Sequence, residues 1–319
     1  MERSMPRRKK GRPIHGWLIL DKPQEMTSTA AVGKVKRLFQ AQKAGHAGTL
    51  DPLATGILPI ALGEATKTVA FAMDGEKSYR FTVRWGVETS TDDIEGEAIA
   101  TSDERPLREN IEAELADFRG SIRQVPPRYS AIKVDGNRAY DLARDGEEVT
   151  LEARDVIIHE LELVDTIGSD SAVFRAVCGK GTYVRAIARD LGRCLGCHGH
   201  ITELRRTRVG PFSEDIAWTV AKLDALAAEK PSEGPAPESP AALLSALLPV
   251  EAALGGMEHL KLSSADASRI ARGQAVILRG RDAPIVTGPA YATCNGRLVA
   301  LVEAERGELR PMRVFNLSG

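Results

Sequence analysis

The stretch GHAGTLDPLATG, residues 45–56, carries one carboxylate, Asp51, among glycines, small residues and a proline. No lysine or arginine lies within this stretch, so no near neighbour in the sequence neutralises the carboxylate. Because a proline favours an extended conformation in the preceding residue, Pro52 predicts a turn with the Asp51 side chain directed outward. Two interpretations are open: Asp51 caps a helical turn that begins at Pro52, or it reacts with a substrate.

Arg185 and Tyr79 are residues that could act together with such a carboxylate. The segment GTYVRAIARDLG places Arg185 where a loop leads into a helix. An arginine that faces a carboxylate lowers the pKa of the acid by roughly 1–3 units, which keeps it in the ionised state that a nucleophile or base requires. Tyr79 begins the apolar face of the alternating segment YRFTVRWG, where its ring either stacks on a nucleobase or belongs to the core.

The elements that must position these residues mix strands and helices without a regular β–α–β alternation. Apolar runs and apolar alternation predict strands over residues 15–20, 57–63, 79–86, 129–134, 156–164 and 171–177. Helical periodicity predicts helices over residues 27–40, 64–74, 107–118 and 182–195. This mixture predicts an α+β fold with a mixed, largely antiparallel sheet.

The composition changes along the chain in a way that suggests domains. A length of 319 residues with 43% apolar residues predicts about two domains. Residues 1–13 are basic and lack apolar periodicity, so we expect a disordered tail. We expect a main domain over 14–256, with a flexible insertion at 229–242 that is rich in Pro, Ser and Glu. Short strands and turn signals over 257–319 predict a small β-barrel-like module.

The overall composition argues against several classes of protein. A net charge of −1 argues against a general polyanion-binding protein, although the segments RRKKGRP and LRRTRVG are locally basic. The apolar run WLIL is shorter than the roughly 7–15 residues of a signal peptide and the about 20 of a membrane span, so we expect neither secretion nor membrane insertion. Four cysteines are too few for a disulfide framework in a chain of this length, which favours the reducing cytoplasm.

The segment CLGCH, Cys194 to His198, matches the spacing of a haem-attachment motif and could, with His200, supply zinc ligands. Haem attachment requires export, for which we find no signal, and a zinc site would lack a second pair of ligands. We therefore interpret these cysteines as ordinary thiols and expect no metal.

Five separated segments together resemble the bacterial TruB-type tRNA pseudouridine synthases in order and spacing. They are LDKPQEMTS, AGHAGTLDPLATGILPIALGEATK, QVPPRYSAIKVDGNRAY, GKGTYVRAIARDLG and ITELRRTRVGPF. The resemblance is strong over residues 15–217 and weaker beyond. It implies a pseudouridine synthase catalytic domain and, over 257–319, a PUA-like RNA-binding module. It also implies an isomerase that converts a T-loop uridine of tRNA, position 55, to pseudouridine without a cofactor.

The resemblance assigns roles to individual residues. Asp51 matches the catalytic aspartate, and Arg185 matches the arginine that pairs with it. Tyr79 matches the tyrosine that stacks on the uracil and is proposed to help proton transfer at C5. His46 matches a histidine that contacts displaced T-loop nucleotides, and Tyr183 and Leu204 match two further substrate contacts. Lys22 matches a mainly structural lysine of the first motif.

Local basic patches are the candidates for contact with the RNA backbone, and each could equally be a solvated surface charge. They comprise Lys133, Arg138, Arg144, Arg205, Arg206 and Arg208. We expect the tRNA T-arm as the partner, no obligate protein partner and a monomer. Two other functions are open: an RNA-binding or folding factor that uses the same cleft, and a guide-RNA-dependent enzyme of the dyskerin type.

Glu25 departs from the family pattern, because the first motif usually has glycine at this position. If that glycine has a positive φ, a glutamate is strained there by about 1 kcal/mol. We expect instead that the turn near Lys22 is remodelled.

Overall fold

A computed structural model describes residues 11–130, 133–134, 137–138, 151–228, 241–278 and 286–317, with only the backbone described at 133–134 and 137–138. The helices are α1 Ser28–Leu38, α2 Val69–Asp74, α3 Arg108–Glu114, α4 Val184–Cys194, α5 Val220–Ala228, α6 Ala241–Leu244 and α7 Ser264–Ala271. Short 3-10 helices span Gly63–Lys67, Glu214–Ile216 and Val250–Leu254.

Strands make up most of the described secondary structure. The strands before α4 are β1 Gly16–Lys22, β2 Ala44–His46, β3 Thr55–Leu62, β4 Lys77–Trp85, β5 Val87–Thr89, β6 Ala98–Thr101, β7 Gly120–Gln124, β8 Lys133–Val134, β9 Asn137–Arg138, β10 Arg154–Ile167 and β11 Ser171–Cys178. Those after it are β12 Gly199–Val209, β13 Phe212–Ser213, β14 Trp218–Thr219, β15 Glu258–Lys261, β16 Val276–Ile277, β17 Gly288–Cys294, β18 Arg297–Glu305 and β19 Glu308–Val314.

The main sheet is ten-stranded, and its principal order is β14-β1-β3-β12-β4-β11-β10-β7. Two neighbouring pairs, β1 with β14 and β3 with β12, are parallel, and the other pairs along this path are antiparallel. The prediction of an α+β fold with a mixed, largely antiparallel sheet is therefore confirmed.

The central strand β12 is missing from the sequence-based prediction. Its segment GHITELRRTRV alternates poorly, because charged residues stand at positions that the fold buries. Arg206 is only 2% exposed, whereas Leu204 and Val209 are the apolar residues expected of a buried strand. A buried arginine in a strand conceals the apolar pattern on which strand prediction depends.

The main core lies between the sheet and the helices α1 and α4. Thr27 caps α1 by accepting a hydrogen bond from the Ala30 amide, and Val35 of α1 points into the core. From α4, Ile187 and Leu191 enter the same core. The apolar faces of α1 and α4 anchor these helices to the sheet. The first turn of α4, which carries Arg185, is therefore held in place.

The C-terminal residues form a separate five-stranded sheet with the order β15-β17-β18-β19-β16. It has its own buried cluster around Ile270 and Val302, and it forms the half-barrel expected of a PUA-like module. A second cluster joins this module to the main sheet, because Leu301 and Phe315 pack with Trp17. The module is thus packed firmly against the main sheet.

The sequence-based limits of the tail and the insertion need correction. Arg12 exchanges backbone hydrogen bonds with Gln40 and Gln42, because its amide donates to the first and its carbonyl accepts from the second. Residues 11–13 are therefore ordered, and the prediction of disorder up to residue 13 is wrong for them. Residues 1–10 and 229–240 lie outside the described residues, while α6 begins at Ala241, inside the predicted insertion.

Glu25 adopts a left-handed backbone conformation, with φ at 64°. The expectation of a remodelled turn that avoids this conformation is wrong. The Glu25 amide donates to the Pro52 carbonyl at 2.8 Å, which ties this strained residue to the Asp51 loop.

Glycine at this position should relieve the strain. We expect Glu25→Gly to raise the free energy of unfolding by about 1 kcal/mol, because a non-glycine residue in the left-handed region costs roughly that amount. Urea denaturation measures the change. The neighbouring Gln24→Gly variant is the matched control and should lower stability, since Gln24 has no positive φ to relieve. Equal effects of the two variants would contradict this account.

In the part of the chain that the structure describes, no helix is long and apolar enough to cross a bilayer.

Candidate active site

The loop between β2 and β3 carries Asp51 and is held from several sides. The Ser28 hydroxyl donates to the Leu50 carbonyl and accepts from the Leu50 amide, both at 2.9 Å. The Ala54 amide donates to the Asp51 carbonyl at 3.1 Å, which closes the turn that Pro52 predicts. The side chain of Asp51 is 37% exposed, so its carboxylate is fixed yet accessible.

Arg185, in the first turn of α4, binds the Asp51 carboxylate. Its Nε lies 3.0 Å from Asp51 Oδ2, and its Nη1 lies 3.3 Å from Asp93 Oδ2. Nη1 also donates to the Thr91 carbonyl at 2.8 Å, and Nη2 donates to the Tyr129 carbonyl at 2.9 Å. Every nitrogen of this buried guanidinium is thus engaged, which fixes its orientation. The partner of the Asp51 side chain is therefore an arginine, which supports the reactive interpretation over the helix-capping one.

Asp93 and Gln124 are residues that the sequence analysis missed. Asp93 is 2% exposed and shares Arg185 with Asp51. The Gln124 amide bridges the backbone of Tyr183, because its Nε2 donates to the carbonyl at 3.1 Å and its Oε1 accepts from the amide at 2.8 Å. This bridge orders the residue before α4 and hence Arg185. The two adjacent acidic residues in the segment TSTDD were the one sequence signal that pointed to Asp93. No sequence signal pointed to Gln124.

Tyr79 and Arg206 lie directly opposite each other on the antiparallel strands β4 and β12. Tyr79 packs against the main core, and its side chain is close enough to Arg206 for the guanidinium to affect its ionisation. Burial raises the pKa of Tyr79, and the nearby Arg206 opposes this shift. The side chain is therefore a phenol at neutral pH, within the electrostatic field of Asp51.

His46, Tyr183 and Leu204 surround the same loop in different ways. His46 ends β2, and burial lowers its pKa, so its imidazole is neutral at pH 7. Tyr183 precedes α4 and is half-buried, which raises the pKa of its phenol. Leu204 lines a cavity of about 270 Å³ together with Leu53 and Phe81. Their contacts with a substrate stay a prediction.

Lys22 is fully buried and cannot contact a substrate directly. Its Nζ donates to three carbonyls, those of Pro23 at 2.9 Å, Met26 at 2.8 Å and Pro52 at 3.3 Å. The site residue Lys22 is therefore corrected from a substrate contact to a structural clamp, in agreement with the structural role that the resemblance implied. Burial lowers its pKa to about 8, against a partial opposing effect of Asp51.

This pKa predicts a pH-dependent contribution of Lys22 to stability. Between about pH 8 and the ordinary lysine value of 10.5, the unfolded chain binds a proton that the folded chain has released. Stability of the wild type should therefore rise over this interval, by up to about 3 kcal/mol, relative to Lys22→Met. Urea denaturation of both proteins at pH 7 and pH 10 measures it. A constant difference between the two proteins would contradict the prediction.

The basic segment of β12 is not a free phosphate-binding patch. Arg206 is buried, which corrects its assignment to the RNA backbone. Arg205 forms ion pairs with Asp21 at 3.0 Å and Glu214 at 2.6 Å, and Arg208 pairs with Glu76 at 3.0 Å. These acids already occupy both surface arginines. The side chains of Lys133 and Arg138, and the whole of Arg144, lie outside the described residues.

The CLGCH segment shows no arrangement typical of a metal site. The four cysteines are free thiols, and His198 lies 3.3 Å from Glu88 Oε2, which also binds Arg193. His200 contacts the Val87 carbonyl at 2.8 Å. Within the described ranges, no group of three His, Cys, Asp or Glu side chains could hold a metal ion.

Comparison with known proteins identifies the family. The model for the TruB family pseudouridylate synthase N-terminal domain matches residues 36–184, and that for the tRNA pseudouridylate synthase B C-terminal domain matches residues 185–255. The chain belongs to the TruB family. A relative from Nitrobacter winogradskyi, named tRNA pseudouridine synthase B, is 61% identical over 317 residues, which are 99% of this chain and 86% of the relative.

Further comparisons agree with membership of the TruB family. A tRNA pseudouridine synthase B from Brucella melitensis is 54% identical and covers 97% of this chain and 98% of its own length. A solved Cbf5-Nop10-Gar1 complex contains a chain of the same fold, with a TM-score of 0.71, 24% identity and coverage of 94% of this chain and 84% of that chain. The family resemblance and the predicted fold class are thus confirmed.

Proposed function

We propose that this TruB-family chain converts uridine 55 in the T-loop of tRNA to pseudouridine. One observation carries the proposal: the accessible Asp51 carboxylate lies 3.0 Å from the buried Arg185 guanidinium, in the loop that adjoins Tyr79. Such a pair holds and aims a carboxylate, as a reaction at a ribose carbon requires. The family match and the names of the relatives supply the substrate class.

A single carboxylate suffices for this chemistry. Glycosidases generally need two carboxyl groups because a sugar alkoxide is a poor leaving group. Uracil leaves more easily, because the negative charge at N1 spreads over two carbonyl groups. Asp51 either attacks C1′ or removes the C2′ proton, and both routes break the N1–C1′ bond. The base then turns within the pocket and bonds to C1′ through C5.

The uridine must leave its stacked loop to reach Asp51, at a cost of a few kcal/mol. The neutral imidazole of His46 is suited to fill the vacated position, because it stacks without carrying charge. Leu204 and Leu53 border the cavity that adjoins the Asp51 loop and would exclude water from the detached base. Tyr183, beside Arg185, completes the set of proposed substrate contacts.

We assign residues 14–256 to catalysis and residues 257–319 to RNA binding, with the T-arm of tRNA as the partner. Supporting this division, the C-terminal sheet has its own apolar cluster. The chain should act as a monomer in the cytoplasm, without a cofactor or an obligate protein partner. The free cysteines agree with a reducing compartment.

Incubation with an unmodified tRNA transcript, followed by mapping of pseudouridine, tests the proposal. We expect modification at position 55 alone, without any guide RNA. Modification only on addition of a guide RNA would favour a dyskerin-type enzyme. Complementation of a deletion strain by Asp51→Asn tests the other function. Rescue of growth without pseudouridine would show that RNA binding or folding is the activity that the cell requires.

The segment 127–148 offers the remaining candidates for contact with phosphates. We expect charge reversal of Arg138 and Arg144 to weaken tRNA binding and to reduce the slope of log affinity against log salt by about 0.7–0.9 per lost contact. Filter binding over a range of salt concentrations measures the slope. Charge reversal of Arg208, which already pairs with Glu76, is the control. An unchanged slope would exclude this patch.

A further inference from the structure

Arg206 is a buried cation without an anionic partner at contact distance. Its Nε donates to the Ile57 carbonyl at 2.8 Å, and its Nη atoms donate to the Thr49 carbonyl at 3.3 Å and the Gly48 carbonyl at 3.0 Å. Among the described residues no carboxylate forms an ion pair with it, and only 2% of the residue is exposed. Burying an uncompensated charge costs several kcal/mol, so its retention requires a reason.

The register of β12 against β4 places Arg206 opposite Tyr79. Arg206 and Tyr79 are Cα partners on β12 and β4, so both side chains leave the sheet on the same face. A guanidinium can only donate hydrogen bonds, so the phenolic oxygen is the one polar atom of the Tyr79 side chain that can accept from it, and the phenolic proton is free to point elsewhere. The same guanidinium binds Gly48 and Thr49, which precede Asp51 by three and two residues. One side chain therefore lies beside Tyr79 and holds the catalytic loop.

We propose that Arg206 is a positioning residue that acts through Tyr79, holding the phenolic oxygen toward the uracil and stabilising negative charge on it during removal of the C5 proton. The proposal rests on the isomerisation inferred above. The neighbouring Arg205 has no such role, because it pairs with Asp21 and Glu214.

In the proposed step, the C5 proton leaves the uracil through Tyr79. After C5 has bonded to C1′, the uracil ring is neutral and C5 still carries its hydrogen. Tyr79 first releases its phenolic proton to solvent, and the phenolate then takes the C5 proton, while the C–H electron pair forms the C5=C6 double bond and N1 becomes anionic. N1 takes a proton from solvent, which balances the proton that Tyr79 released, and Tyr79 is again a phenol. The ring has neither gained nor lost an atom.

The charges around Tyr79 oppose its ionisation, except for Arg206. Burial is the largest cause that raises the pKa of Tyr79, and Asp51 and Cys178 raise it further, whereas Arg206 lowers it. The cationic groups near Arg206 are Lys22 on β1, His46 on β2 when protonated and Lys77 on β4. Loss of the Arg206 charge should therefore move ionisation of Tyr79 to higher pH.

Arg206→Lys keeps the charge and loses the fork of donors, and Arg206→Gln loses the charge and keeps a donor. Single-turnover rates on tRNA transcripts made with uridine or 5-deuterouridine test the proposal. We expect both variants to slow turnover by about 10²-fold and to show a larger deuterium isotope effect than the wild type. The pH at which the rate rises should be higher than in the wild type by about 1–3 pH units in Arg206→Gln, and by less in Arg206→Lys. Arg108→Lys, which alters an exposed arginine of α3 that pairs with Glu112, should match the wild type.

A structural role alone would not change the isotope effect at C5. If either variant folds and binds tRNA with the isotope effect and pH profile of the wild type, the proposal is wrong. If the wild type forms no pseudouridine, the proposed function fails instead. Thermal unfolding and tRNA binding, measured on both variants, separate loss of the fold from loss of the chemical step.

Discussion

Replacing Arg185 by methionine should abolish activity and lower the free energy of unfolding by about 3–5 kcal/mol. The guanidinium binds Asp51 and Asp93, and it donates to the Thr91 and Tyr129 carbonyls. Without it, the Asp93 carboxylate is left buried and uncompensated, which is the costly outcome. The reacting carboxylate of Asp51 loses the group that aims it. Urea denaturation and single-turnover assays measure the two effects separately.

Arg189 provides a matched control on the same helix. It lies one turn beyond Arg185 on α4, is buried, and pairs with Asp92 at 2.9 Å, next to the aspartate that Arg185 binds. Burial raises the pKa of Asp92 to about 6, so the comparison is made at pH 8, where this carboxyl is ionised. Arg189→Met should lose similar stability and keep the chemical step. Equal losses of activity in the two variants would show that Arg185 acts only through the fold.

A double variant separates stability from catalysis further. Arg185→Met with Asp93→Leu removes both buried charges of the pair, which should recover most of the lost stability. Asp51 remains without its guanidinium, so activity should stay abolished. Recovery of activity together with stability would contradict a direct role of Arg185 at the carboxylate.

Asp51→Asn should reduce pseudouridine formation by about 10⁴-fold or more while leaving the fold and tRNA affinity close to those of the wild type. An amide neither attacks C1′ nor removes the C2′ proton at a useful rate. The Asp51 side chain is 37% exposed, so the change creates no cavity and leaves no carboxylate buried. Thermal unfolding and filter binding should therefore give values close to those of the wild type.

The sequence predicts the parts of the fold that follow local rules. The strand at β1, the helix α1 and the turn at Asp51 lie close to their predicted positions. Each depends on residues close together in the chain, such as a cap before a periodic segment or a proline after an extended residue.

The features that the sequence did not predict depend on contacts across the sheet. Arg206 reads as a surface charge, because only the register of β12 against β4 shows that it is enclosed behind Tyr79. Nothing in the sequence marks Gln124, because its partner Tyr183 is brought to it only when β7 and the start of α4 come together. Buried polar residues satisfy their hydrogen bonds with partners far away in sequence, and no local pattern encodes such pairs.

The proposed isomerisation depends on a carboxylate oxygen of Asp51 that reacts at the ribose of an extruded uridine. The most direct test is the single-turnover rate of pseudouridine formation in an unmodified tRNA transcript, at equal occupancy of enzyme by tRNA. Asp51→Asn is compared with Asp21→Asn, which alters another aspartate bound to an arginine, Arg205. We predict no detectable product with Asp51→Asn and a near wild-type rate with Asp21→Asn. A wild-type rate with Asp51→Asn would contradict the account.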